Sequence, residues 1–179
     1  MKQKTKMIIR ENVESLLIAF ILAMIIRAFV IQAYKIPTGS MIPTLMVGDR
    51  ILVSKLSYRF HSPQRGDVFV FKYPEDPKVA FIKRLVGKGG EQIEIRNGRV
   101  YINGKEVENK KIKGRFYYNK GDNSEPGELY QIPENTYFAL GDNSANSRDS
   151  RYWGVVPKKN LIGKAVFIYW PPNRIRLIE

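Results

Sequence analysis

Residues 91–108 read EQIEIRNGRVYINGKEVE. Apolar and polar side chains alternate on both sides of Asn97-Gly98 and again around Asn103-Gly104. Asn-Gly between β-forming residues favours a two-residue type I′ hairpin, because both turn positions need positive φ. A β-meander over residues 91–108 is therefore expected, and its pattern extends outward. RILVSKL, DVFVFKY, VAFIKRLVG, TYFALGD and GKAVFIYW are further short apolar runs bounded by turn residues, as strands are. Between Glu108 and Pro133 the chain is rich in Lys, Asn, Gly and Glu, which reads as a surface excursion with at most one strand, at RFYY over Arg115 to Tyr118. PKKNLIG, from Pro157, suggests a short helical turn. The expected fold class is mainly β: a small antiparallel domain of coiled sheets or a partial barrel, spanning 34–179, with 91–140 forming a less regular insertion or second β region.

Upstream the pattern changes. Val13 to Ala33 reads VESLLIAFILAMIIRAFVIQA, with an unbroken apolar run from Leu16 to Ile26. A helix over 13–33 would just span a hydrocarbon core of about 30 Å, with Arg27 near one end where its side chain can snorkel. A buried core helix would show a polar face, which this run lacks. A cleaved signal peptide would need a small-residue site after the run, where IIRAFVIQAYKIP is mostly bulky. The expectation is a single transmembrane anchor at 13–33 contacting the lipid bilayer, behind a basic cytoplasmic tail at 1–12. Lys2, Lys4, Lys6 and Arg10 would hold the N-terminus in the cytoplasm and put the β domain on the outer face of the cell membrane.

Composition narrows the chemistry. The 179 residues suffice for one core plus an appendage. The absence of Cys removes disulfide scaffolds, zinc ribbons and thiol nucleophiles. Net charge is +13, but in the β region basic residues are interspersed with Asp and Glu, which suits a solvated surface better than a nucleic-acid stripe. No nucleic-acid partner, metal or cofactor is expected, and the chain is expected to be monomeric.

Ser40 lies in PTGSMIPTLMVGD, residues 37–49, where Pro37, Gly39 and Pro43 favour an open, irregular backbone. It is either a turn serine or a nucleophile in need of a base. His61, the one histidine, sits in the polar turn RFHSPQRGD without an evident orienting partner. Lys83 lies within VAFIKRLVG, where strand alternation groups it with Phe81 and Leu85 and puts Ile82 and Arg84 on the other face. Desolvation on an apolar face would depress its pKa. At the reference value of about 10.4 a neutral amine at pH 7 costs roughly 4.6 kcal/mol, and near 8 it would cost about 1.4. The alternative is an edge-strand lysine that guards against aggregation.

IPTGSMIPTLMVGDRILVSK, RGDVFVFKYPEDPKVAFIKRLVG and GDNSANSRDSRYWGVVP, in that order, resemble the serine, lysine and C-terminal boxes of bacterial type I signal peptidase, the Ser/Lys leader peptidases that cut secretory preproteins. The resemblance runs from the anchor to Trp170. It implies that Ser40 is the nucleophile and Lys83 the general base, and that the Ser40 backbone N–H and the Thr38 hydroxyl form the oxyanion hole. It further implies that Ser147 orients the Lys83 amine, and that Asp142, Asp149 and Arg151 are structural supports. Ile36, Pro37, Met41, Leu45, Phe81 and Ile82 would line shallow pockets for small side chains one and three residues before the cut. Ser144, Ala145 and the GKGGE that follows Val86 depart from the family pattern. The competing class is a membrane-tethered basic β domain, without catalysis, that binds anionic lipid or polymer.

Overall fold

The computed structural model describes residues 2–178 in backbone; side chains of residues 1–11, Ala28 and Glu179 fall outside the description. Helix α1 (Lys2–Phe29) leads into strands β1 (Ile31–Lys35) and β2 (Arg50–Ser54), helix α2 (Ser57–Phe60), and strands β3 (Val68–Lys72) and β4 (Ala80–Lys88). Strands β5 (Gln92–Arg96), β6 (Arg99–Ile102) and β7 (Lys105–Glu106) follow, then helix α3 (Lys110–Lys113), β8 (Tyr130–Gln131) and β9 (Thr136–Leu140). Helix α4 (Ser150–Trp153), β10 (Val156–Pro157), β11 (Leu161–Trp170) and β12 (Arg176–Leu177) complete the chain.

The strands form two antiparallel sheets, ordered β1-β2-β11-β3-β4-β9-β10 with β12 on β11, and β7-β6-β5-β8. The smaller sheet is the expected meander. Asn97, Gly98, Asn103 and Gly104 all have positive φ, between 50° and 76°, and the turns set Arg96 opposite Arg99 and Ile102 opposite Lys105. In the larger sheet β11 shifts register near Leu161, Ala165 and Ile168, and such bulges bend and twist a strand. One strand can therefore pair with β2, β3 and β12 as the sheet curls. Gly163 permits the tight approach, since a Cβ there would lie 2.3 Å from the Ser54 carbonyl oxygen.

Both faces of β3 are covered. Val68 and Val70 enter a core with Ile36, Met41, Leu45, Ile51, Val53, Ala165 and Ile168. Phe69 and Phe71 enter another with Leu85, Tyr137, Ala139 and Val156. A third core joins the two sheets, with Val86, Phe138 and Leu140 meeting Ile93, Ile95, Val100 and Ile132. The continuous apolar runs in the sequence follow from this two-sided burial.

Two expectations are corrected. RFYY is not a strand; its Tyr117 is buried in the third core beside Ile112 of α3. The helix expected over 13–33 ends at Phe29, since Ile31–Lys35 pairs residue by residue with β2 and Tyr34 packs on the core. From Val13 to Phe29 the helix measures about 25 Å, and every described side chain in it is exposed. Among the described residues, no helix is long and apolar enough to cross a membrane. PKKNLIG forms the expected single turn, a 3-10 helix over Lys158–Asn160.

Candidate active site

Ser40 lies in the turn-rich connection between β1 and β2. That segment is closed by the Ile36 N–H donating to the Asp49 carbonyl at 2.8 Å and the Gly48 N–H to Ile36 at 2.9 Å. Its far side is fastened to the loop after β9, where the Asn143 N–H donates to the Ser40 carbonyl at 3.0 Å and Asn143 Nδ2 to the Gly39 carbonyl at 3.1 Å. Gly141 makes the approach possible. A Cβ on it would lie 2.1 Å from Ser147 Oγ and 2.6 Å from the Ser40 carbonyl oxygen.

Strand β4 brings Lys83 to the same place. Lys83 Nζ donates to Ser40 Oγ at 2.6 Å, with the two residues 5% and 7% exposed. Burial lowers the Lys83 pKa from 10.5 to about 8, with Arg151 assisting and Asp149 and Asp142 opposing. Lys83 also sits 5.7 Å from the Phe81 ring centroid, on the apolar face that strand alternation predicts.

A groove of about 390 Å³ opens beside this pair, lined by Pro37, Thr38, Ser40, Phe81, Ile82 and Lys83 and by Val79, Ala80, Asn146 and Arg148. The sequence reading did not single out the last four. Ile36, Met41 and Leu45, expected in the pockets, are instead packed in the core beneath, at most 2% exposed. The serine segment is a run of turns rather than a strand, and it leaves Pro37 and Thr38 outward while Ile36, Met41 and Leu45 face the core. The Ser147 hydroxyl is buried and has no hydrogen-bond partner among the described residues; the expected bond to the Lys83 amine is not formed. His61 lines a different cavity, next to α2.

Two buried ion pairs brace the groove. Arg151 Nε and Nη2 donate to Asp149 at 2.7 and 2.8 Å, with both residues wholly buried. The guanidinium also donates to Ser144 Oγ at 2.8 Å, so Ser144 is a built-in acceptor. Asp149 in turn accepts from the Gly141 N–H at 2.9 Å. Around Asp142 the network is larger than the sequence suggests: Arg84 donates twice at 2.7 Å, Arg115 once at 3.0 Å, and Thr44 Oγ1 donates as well. Arg84, Arg115 and Thr44 escaped the sequence reading. The available signal was an ionisable residue next to Lys83 in an otherwise apolar strand. Among the described residues, no group of three or more His, Cys, Asp or Glu could hold a metal ion.

A hydroxyl held by a buried, weakly basic amine beside an open groove is the arrangement of a serine hydrolase without histidine. Residues 9–170 match the family described as signal peptidase, peptidase S26. The chain belongs to that family. It is 41% identical to signal peptidase I of Leptolyngbya laminosa over 92% of this chain and 81% of that protein. It is 40% identical to a probable signal peptidase I of Synechocystis sp. over 93% and 85%. A crystal structure of signal peptidase I from Enterococcus faecalis, 30% identical, covers 58% of this chain and 97% of that one with a TM-score of 0.48. As an S26 peptidase, the chain has a mainly β, antiparallel, curled-sheet domain, and its relatives are enzymes of signal-peptide processing.

Proposed function

We propose that this S26 peptidase is a membrane-anchored serine endopeptidase that removes N-terminal signal peptides from exported preproteins, with Ser40 as nucleophile and Lys83 as general base. The observation that carries the reading is the 2.6 Å contact between Lys83 Nζ and Ser40 Oγ in a buried setting. With the amine neutral, the hydroxyl donates to the nitrogen lone pair. Lys83 takes that proton as Oγ attacks the scissile carbonyl carbon, then returns it to the leaving amine. Water, deprotonated by the same amine, releases the acyl group. The Ser40 N–H and the Thr38 hydroxyl, at the groove wall, stabilise the oxyanion. Ser147 receives the protonated amine, its free and buried hydroxyl being the acceptor that an ammonium ion needs.

The substrate adds as an extended strand. Strand β4 pairs with β9 only from Arg84 onward, whereas residues 80–83 pair with β3 alone, leaving an edge for main-chain hydrogen bonds. Pro37, Phe81 and Ile82 are the surfaces that small side chains fit and bulky ones clash with. Ile36, Met41 and Leu45 shape that floor from below.

The exposed apolar residues of α1 are matched to lipid, since a helix apolar all round is otherwise buried in protein. The basic residues before it keep the N-terminus cytoplasmic and the catalytic domain outside. The test is cleavage of a preprotein by the purified full chain in detergent: Ser40→Ala should reduce turnover to background with the circular dichroism spectrum unchanged. Retained turnover by that variant would refute the assignment.

A further inference from the structure

A second cavity, of about 460 Å³, lies where the catalytic domain meets the C-terminal end of α1. It is separate from the Ser40 groove and shares none of its residues. Phe29 of α1, Lys55, Arg59 and Phe60 at α2, and Lys158 on the turn before β11 contribute to its wall. No carboxylate lines it. The nearby Asp67 stands behind Tyr58, which donates to it at 3.3 Å, and is already neutralised by Lys164 at 2.6 Å. Arg59 and Lys158 are exposed and make no side-chain hydrogen bond or ion pair among the described residues.

We propose that this cavity binds the phosphate headgroup of an anionic phospholipid. The inference rests on the reading of α1 as a membrane anchor, which puts the cavity at the level of the headgroups. Three properties argue for that occupant. The wall combines cations with exposed Phe29 and Phe60, the pairing of basic and aromatic side chains found at a membrane interface. Arg59 offers a planar fork suited to phosphate. A neighbouring groove of about 960 Å³, which shares Lys55, runs along α1 past Ile26, Ile31 and Leu52, with Arg27 and Gln32 also on its wall, and gives an acyl chain a largely apolar path next to its headgroup.

The site would seat the catalytic domain at a fixed height on the bilayer. It is tested on the full chain in neutral detergent by native mass spectrometry, with phosphatidylglycerol and phosphatidylcholine offered together. The wild-type chain should retain phosphatidylglycerol selectively. The double variant Arg59→Gln/Lys158→Gln should weaken that binding about thirtyfold, at roughly fivefold per basic side chain removed from an anionic surface. Its thermal midpoint should not change, since neither side chain is paired. Equal retention of the two lipids by the wild type, undiminished phosphatidylglycerol on the double variant, or inorganic phosphate bound as tightly as the lipid would each overturn the proposal. Flotation with phosphatidylcholine vesicles separates the two readings. A wild-type chain that does not float overturns the anchor reading and this proposal together, and a chain that floats without lipid selectivity overturns this proposal alone.

Discussion

Replacing Lys83 by Met should abolish cleavage and raise stability together, because one buried amine governs both. The wild-type residue titrates near pH 8 in the folded chain and at 10.5 when exposed. Between those values the unfolded chain binds a proton that the native state does not, so stability rises with pH through that window. Below pH 8 the penalty is complete, at about 3 kcal/mol. A methionine stem fills the same space without charge, so at pH 7 the variant should melt roughly 6–12 °C higher in a protein of this size. Above pH 10.5 the difference should vanish. Kinetically, the neutral amine makes up about a tenth of the wild-type enzyme at pH 7 and about a hundredth at pH 6, so kcat/KM for a signal-peptide substrate should rise tenfold per unit up to about pH 8 and then level. The assay is cleavage of a fluorogenic peptide across pH 5.5–9.5, with melting followed in parallel. A flat profile from pH 6 to 9, or a variant no more stable than wild type at pH 7, would refute the reasoning.

Gly141→Ala should cost about a hundredfold in kcat/KM, since the added methyl must displace Ser147 or the Ser40 carbonyl and an ångström of misplacement is worth that much; steady-state kinetics at fixed pH would check it. Asp142→Leu should destabilise by about 3–5 kcal/mol, because it leaves the Arg84 guanidinium, 1% exposed, without its carboxylate; urea unfolding with an unchanged slope is the measurement.

What the sequence shows is local. Asn97-Gly98 and Asn103-Gly104 specify their own turns through backbone chirality, so the meander is legible from eighteen residues without reference to the rest of the chain. Lys83 is legible as unusual for the same reason, its apolar strand neighbours being adjacent in sequence. It meets Ser40 across a separation of 43 positions in the chain, and no period or propensity encodes that meeting. The resemblance to known boxes supplied it. Strand β1 is hidden because Ile31 and Ala33 continue an apolar run that a helix reads equally well; only pairing with β2 distinguishes them. Alternation sets Arg84 on the face opposite Lys83 without saying what covers it, and it is among the most buried side chains, because its carboxylate arrives from position 142.

The buried ion pairs answer a conflict within the site. The groove needs rigid walls, and buried charges held by several hydrogen bonds provide them, yet any unbalanced carboxylate near Lys83 would stabilise its ammonium form and deplete the neutral amine that the proposed mechanism uses. Asp149 and Asp142 both pull in that direction, and burial still prevails. Each acid is itself paired, Asp149 with Arg151 and the Gly141 N–H, and Asp142 with Arg84, Arg115 and Thr44, and the opposite charge of each arginine offsets part of that pull. Arg151 adds a direct push downward on the amine. Arg151, which looks like scaffolding, thus also favours the uncharged form of Lys83, and Arg84 balances the Asp142 carboxylate that would otherwise favour the ammonium.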